Sequence, residues 1–204
     1  MIKYIWQQAL NYPELSGHFK RKSLAAARYL HTYVSRLMPF HAPFNSNFTG
    51  DPMRPFLKWA GGKYRLVERI KTKLPQGLRL LEPFAGSCAL SLNTDYQSYW
   101  LNDINADLIN LYQVLQKEGT AFIEYCGEYF IPENNIPEKY YELRKQFNQE
   151  TDIYIKSALF IYLNRHGYNG LSRYNAGGEF NVPFGKYAKP YFPEKELIYF
   201  HTKF

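Results

Sequence analysis

The chain has 204 residues, a formal net charge of +7 and two cysteines, Cys88 and Cys126. That length holds one ordinary domain with or without an extension, and two thiols exclude a disulfide framework or a cysteine-rich metal centre, so a reducing cytoplasm is the expected compartment. The basic balance favours a polyanionic partner, the 18% share of aromatic residues suits base stacking or a deep core, and no apolar run reaches the length of a membrane span.

The first fifty residues differ from the rest. Lys3, Lys20, Arg21, Lys22, Arg28 and Arg36 stand against a single acid, Glu14. Ala27, Leu30, Val34 and Leu37 recur at helical spacing, which predicts an amphipathic helix over 20–38, and Pro39, Pro43, Gly50 and Pro52 then mark a linker. Two readings stay open for this arm: it lies along nucleic acid, or it is an appended segment without a role. The start lacks the charged, apolar and small-residue regions of a signal peptide. Met53 also reads as the start of a complete domain.

Residues 56–63, FLKWAGGK, place Gly61 and Gly62 before a basic helix predicted over 64–74. Paired glycines let a backbone approach a ligand closely, Trp59 offers a flat face and Lys63 a charge. A plain turn beside a core tryptophan fits the same residues.

The segment around which the chain is organised is LRLLEPFAGSCALSL, residues 78–92. The apolar run 78–81 is too short for a helix and reads as a buried strand, followed by a tight loop through Gly86 and Ser87 into a helical pattern. Such a junction aims free backbone amides and the positive end of a helix at a ligand across the strand's carboxyl edge. A second strand over 99–102 ends on Asp103, about twenty residues on, at the spacing of a ribose-binding carboxylate in α/β nucleotide folds. A glycine loop is often only a turn, and an aspartate at a strand end often caps the next helix. Together and in register they point to a nucleoside site. Gly86 lacks the partner glycines of a dinucleotide fingerprint, which makes a nicotinamide cofactor the weaker reading.

Helices are predicted over 106–117, with Leu108, Leu111, Tyr112 and Leu115 inward, over 120–129, from Pro137 through Phe147, and from Asp152 through Leu163. They package the site and carry no chemistry. His18, His31, His41, His166 and His201 are scattered without ligand spacing, so no metal site is expected. Residues 163–187 change character, with glycines among Arg165, Tyr168, Asn169, Leu171, Arg173, Tyr174 and Asn175. Gly177 and Gly178 read as a hairpin tip and 180–184 as its return strand. Guanidinium and amide groups read base edges, and an exposed leucine or tyrosine wedges or stacks on a base, which points to nucleic-acid contact rather than a bare solvated loop.

Taken together, FLKWAGGK at 56–63, EPFAGS at 82–87, LNDINADLINLY at 101–112, LNRHGYNGLSRYN at 163–175 and GEFNVPFGKYAKPYFP at 178–193 resemble the Dam family of DNA adenine methyltransferases. The resemblance runs from Arg54 to the last residue. It implies an α/β fold: a Rossmann-like methyltransferase sheet, here incomplete, with an α-helical and β-hairpin target-recognition insert. It implies S-adenosylmethionine as cofactor, with Trp59 near the adenine, Lys63 near the amino-acid end, Phe84 and Gly86 under the methionine and Asp103 on the ribose. It implies double-stranded DNA as partner, with Tyr168, Asn169 and Arg173 on bases of a GATC-type site, Leu171 inserted into the stack, and Lys58 and Pro183 reading the flanking pair. Lys186 stands where many relatives carry arginine, which keeps charge and loses the bidentate fork.

Two further departures matter. Relatives carry two glycines in the cofactor loop where this chain has Gly86 and then Cys88. A side chain at a positive φ costs about 1 kcal/mol or more and crowds the methionine. The family's Asp-Pro-Pro-Tyr motif, which holds the flipped adenine, is absent: there is no Pro-Pro pair, and the one Asp-Pro is Asp51 and Pro52. Cys88 is not expected to act as a nucleophile, since amine methylation needs none. The expected organisation is a basic extension and linker over 1–52, the cofactor-binding part over 53–117, the recognition insert over 118–193, and over 194–204 the start of a returning strand of a truncated catalytic domain. With no catalytic residue present, the chain is expected to be inactive alone, as a DNA-binding remnant or as half of a split enzyme completed by a second polypeptide. The expected location is cytoplasmic, at the nucleoid, without a membrane.

Overall fold

Alternation builds the sheet. In the strand Arg79–Glu82 the side chains of Leu80 and Glu82 are buried while Arg79 and Leu81 face outward, the period of two expected of a strand with one packed face. The computed structural model describes residues 38–41 and 52–204. Its strands are β1 (Met38–His41), β2 (Arg79–Glu82) and β3 (Ser98–Leu101), in the order β1-β3-β2. β2 runs parallel to β3, with Leu80 opposite Tyr99 and Glu82 opposite Leu101, and β1 pairs antiparallel on the far side of β3. β2 and β3 are each displaced by one residue from the spans the sequence predicts. β1 is a correction, because the prolines of that stretch read as linker. The helix predicted over 20–38 lies, apart from Met38, outside the described residues.

Six α-helices follow among the described residues: α1 (Val67–Lys71), α2 (Ala106–Glu118), α3 (Thr120–Gly127), α4 (Pro137–Gln149), α5 (Ile153–His166) and α6 (Glu194–Lys203). The architecture is mixed α/β. The helix predicted over 64–74 is a 3-10 turn, Tyr64–Leu66, continued by the short α1. Pro137 opens α4, where its missing N–H costs nothing, and the Asp152 carboxylate accepts from the N–H groups of Tyr154 and Ile155 to open α5. From Ser157 onward every residue of α5 is buried. A helix buried on all sides is a central one, and α5 packs against α2, α3 and α4.

The chain's last residues contradict the expected strand. α6 buries Leu197, Phe200 and Lys203, with Phe204 behind them, at helical spacing. Phe200 stacks on Tyr112 with ring centroids 4.9 Å apart, and Phe204 meets Tyr99 edge-on at 5.2 Å. Lys203 reaches the Thr94 carbonyl at 2.8 Å, so its buried ammonium is not left without an acceptor. Signals for a helix were present in the sequence: Glu194 and Glu196 lie in the first turn, His201 and Lys203 in the last, both matching the helix dipole.

The helix expected after residue 87 is also absent. Gly86 and Cys88 both adopt left-handed backbone, at φ 48° and 56°, and two such residues cannot continue into a right-handed helix. Only a 3-10 turn, Ser91–Asn93, follows. No helix among the described residues is long and apolar enough to cross a membrane.

Candidate functional site

The parallel pairing of β2 and β3 continues past both strands. Asn102 donates to the Glu82 carbonyl at 2.9 Å and Ala85 to the Asn102 carbonyl at 2.8 Å, which carries the loop after β2 alongside the end of β3. There the Asp103 carboxylate turns toward that loop. Its Oδ2 accepts from the Gly86 N–H at 2.9 Å and its Oδ1 from the Asn105 N–H at 3.1 Å. The helix cap belongs instead to Asn105, whose side chain accepts from the Leu108 N–H. An ionised carboxylate has about four acceptor sites, so two remain for a further donor pair.

Trp59 closes the other side. A methyl group on Gly86 would stand 2.8 Å from the indole Nε1, so the tryptophan lies directly on a glycine that only glycine permits. Gly62 donates to the Trp59 carbonyl at 3.0 Å, and Gly61, at φ 70°, makes the turn that brings Lys63 to the rim. The result is an open cavity of about 140 Å³ bounded by Trp59, Lys63, Phe84, Gly86 and Asp103, with Glu82 at its base. All five residues that the sequence singles out for a cofactor therefore meet in one pocket. Phe84 is 77% exposed and offers an uncovered ring. The free backbone amides and the helix dipole expected to face the pocket are both corrections: the N–H groups of Ala85, Gly86 and Cys88 are bonded to Asn102, Asp103 and Ala85, and no helix starts at the loop.

Glu82 carries a role that sequence reasoning did not assign. It is buried, and its carboxylate accepts from the N–H and the hydroxyl of Ser91, which ties the far end of the loop to the strand. Burial pushes its carboxyl above the usual range, against the pull of the Ser91 donors and the Lys63 charge. An acid closing an apolar run was the available signal. Tyr112 likewise secures the loop by donating to the Gly86 carbonyl. Cys88 does sit at the positive φ that disfavours a side chain, and it is fully buried. Burial raises its thiol well above the ordinary range, which removes the reactive thiolate.

The seven residues singled out for DNA lie on or beside the excursion after α5. Tyr168, Asn169, Arg173, Pro183 and Lys186 are exposed, and Leu171 and Lys58 are half-buried. Tyr168 donates to the Pro183 carbonyl at 2.8 Å, Asn169 to the Tyr187 hydroxyl at 3.0 Å, and the Lys58 ammonium lies 4.1 Å from the Tyr187 ring centroid. Arg173 is folded onto Asn181, donating to its side chain at 2.7 Å and its carbonyl at 3.2 Å. Leu171, half-buried, rests against the edge of the core.

The return strand expected over 180–184 is not formed. Isolated bridges join Gly167 to Phe184 and Tyr174 to Phe180, although the tip at Gly178 does turn, donating to the Asn175 carbonyl at 3.0 Å. The reason is competition for the backbone. Asn148 of α4 takes both peptide groups of Phe180, at 2.8 and 3.1 Å, and the Val182 carbonyl accepts from Tyr140 and Arg144, at 3.0 and 2.9 Å. Helix side chains thus replace a partner strand. Tyr174 adds a strut to α2 by donating to Asp107 at 2.8 Å.

Residues 59–204 match the family described as D12 class N6 adenine-specific DNA methyltransferase. The chain belongs to that family. It is 55% identical over 150 residues to a DNA adenine methylase of Vibrio cholerae and 53% identical to that of Escherichia coli, in each case over 74% of this chain and 54% of the relative. Likeness to the DNA adenine methylase of Serratia marcescens is 54% over 74% of this chain and 56% of the relative. The chain spans about half the length of these relatives. The family match covers the whole pocket and the whole excursion after α5, so the two features that the sequence reading joined lie inside it.

Proposed function

We propose that the pocket between β2 and β3 binds S-adenosylmethionine and that the segment 163–187 reads a GATC-type site in double-stranded DNA. The bound cofactor supplies a methyl group on an electron-poor sulfonium for transfer to the N6 amine of adenine. The residues fit such a group: Asp103 keeps acceptor capacity for two ribose hydroxyls, Trp59 and Phe84 offer flat apolar faces, Gly86 lets the Trp59 indole close on the loop and Lys63 matches a carboxylate. On this reading 53–117 is the cofactor-binding part, built on a Rossmann-like sheet, and 118–193 the recognition insert. Tyr168, Asn169 and Arg173 contact bases, Leu171 enters the stack, Lys58 and Pro183 read the flanking pair and Lys186 adds charge. A DNA substrate places its action in the cytoplasm at the nucleoid.

The observation that carries the reading is the Asp103 carboxylate bonded to the Gly86 N–H, which makes the ends of two strands into one site. Calorimetric titration of S-adenosylmethionine into the purified chain tests it. Asp103→Ala should weaken binding by about tenfold or more, equivalent to ~1.4 kcal/mol; equal affinity in the variant refutes the assignment. Replacing Arg173 with Ala should weaken preference for the target duplex more than affinity for random duplex, and equal losses would count against base reading.

Transfer itself is proposed to be absent from these 204 residues alone. No Asp-Pro-Pro-Tyr sequence is present to hold the amine in line with the sulfonium, and positioning supplies most of the rate in such a reaction. Transfer of labelled methyl to GATC-containing duplex by the purified chain would overturn this.

A further inference from the structure

Asn164 is 2% exposed near the end of α5, and its amide ties Lys58, in the part read as cofactor-binding, to Gly170, in the part read as recognition insert. Its Oδ1 accepts from the Lys58 N–H at 2.9 Å, and its Nδ2 donates to the Lys58 carbonyl at 2.8 Å and to the Gly170 carbonyl at 3.0 Å. The side chain thus takes both peptide groups of Lys58, as a partner strand would, and extends the pairing to the turn Tyr168–Gly170. Lys58 adjoins Trp59, the wall of the pocket. Gly170 ends the turn that presents Tyr168 and Asn169, and at φ 62° it lies so close to Lys58 that a Cβ would overlap the lysine side chain.

A second limb closes a ring. The Lys58 ammonium sits over Tyr187, and the Tyr187 hydroxyl accepts from the Asn169 N–H. Asn164 is buried and so is its bond to Gly170, so breaking that bond leaves a buried amide donor without a partner, which costs more than the bond itself gains.

We propose that Asn164 is a positioning residue that couples occupancy of the cofactor pocket to the order of the recognition turn Tyr168–Gly170. The proposal rests on the reading of the pocket as a cofactor site. Pressure of a ligand on Trp59 moves or fixes Lys58, and Asn164 passes the constraint to Gly170 and Asn169. By reciprocity, DNA held at the turn tightens the pocket by the same factor.

Hydrogen exchange of the whole chain with and without saturating S-adenosylhomocysteine tests it. In the unaltered chain the ligand should slow exchange at 84–88 and, through Asn164, by roughly fivefold or more at 168–171. In Asn164→Asp, which keeps the acceptor for Lys58 and turns both donors into acceptors, the ligand should still protect 84–88 while protection at 168–171 falls to less than about twofold. Full protection of 168–171 in that variant overturns the proposal. Tyr187→Phe cuts the other limb at a half-buried site and serves where Asn164→Asp does not fold: it should lower the protection transmitted to 168–171, and an unchanged value counts against the ring. Protection at 84–88 with none at 168–171 in the unaltered chain overturns the coupling alone. No protection at 84–88 overturns the cofactor reading as well.

Discussion

The cofactor corner and the recognition segment are both irregular stretches, and they are held in different proportions by ladder bonds and by side chains. At the corner, backbone pairs with backbone: Asn102 and Ala85 continue the ladder of β2 and β3, and carboxylates from the sheet, Glu82 and Asp103, fasten what is left of the loop. In the recognition segment backbone pairs are scattered, as between Tyr168 and Pro183 or Asn181 and Arg173, and side chains reaching from α4 and α5, those of Asn148, Tyr140, Arg144 and Asn164, take peptide groups at Phe180, Val182 and Gly170. A corner built on a ladder resists single changes except where atoms touch. A segment hung on side chains loosens at one substitution without disturbing the sheet.

The largest effect is expected at the closest contact in the corner. Gly86→Val adds a branched side chain at φ 48° against the Trp59 indole, so it should lower stability by about 2 to 4 kcal/mol and abolish S-adenosylmethionine binding. Thermal unfolding and calorimetric titration measure both, and a variant that binds normally would show that the indole moves aside freely.

Acid should separate the two regions next. His166 lies buried, stacked on Tyr162 at 4.0 Å and 5.1 Å from Phe130, and its carbonyl accepts from the Gly185 N–H at 2.8 Å. Burial, with some help from the Lys58 charge, brings its pKa down to about 4, although the Tyr162 carbonyl pulls the other way. The unfolded chain binds a proton on this ring near pH 6.5 and the folded chain does not until about pH 4. Stability from this group is therefore complete above pH 6.5 and is lost as pH falls toward 4, to a limit of roughly 3 kcal/mol. Glu82, whose pKa is raised, works in the opposite direction, since stability from it falls as pH rises through the carboxylate range. Denaturant melts from pH 7 to pH 4 should show a shallower loss in His166→Phe than in the unaltered chain, and parallel curves would remove His166 as the cause. Amide exchange at pH 5 should loosen 180–187 before 84–88.

Asn148→Ala tests the side-chain scaffold directly. Freeing both peptide groups of buried Phe180 should cost about 1 to 3 kcal/mol and blunt target preference, with cofactor affinity unchanged. A matching loss of cofactor affinity would mean that the two regions are not separately built. The smallest change is expected from Cys88→Gly. Relief of the left-handed side chain is worth about 1 kcal/mol, and loss of the buried thiol costs a similar amount, so the melting curve should shift by less than about 1 kcal/mol either way. A large stabilisation would show that strain dominates at that position.

Local pattern alone identified the strand before Gly86, the acid at the end of the next strand, Pro137 and Asp152 as helix starts, and the family through five ordered motifs. Each of these depends on residues close together in the chain, where spacing fixes geometry. It placed Trp59, Lys63, Phe84, Gly86 and Asp103 on the right kinds of elements, but only the packed chain brings 59–63 over 84–86 and lays one indole on one glycine. The same limit explains the misreadings. Residues 180–184 alternate like a strand, but Asn148, Tyr140 and Arg144, more than thirty residues away, claim their peptide groups. The final run reads as a strand until Tyr112 and Tyr99 offer Phe200 and Phe204 a surface that suits a helix. Backbone hydrogen-bonding groups must be satisfied, and which partner satisfies them is decided by whatever folding brings near, which no local stretch of sequence records.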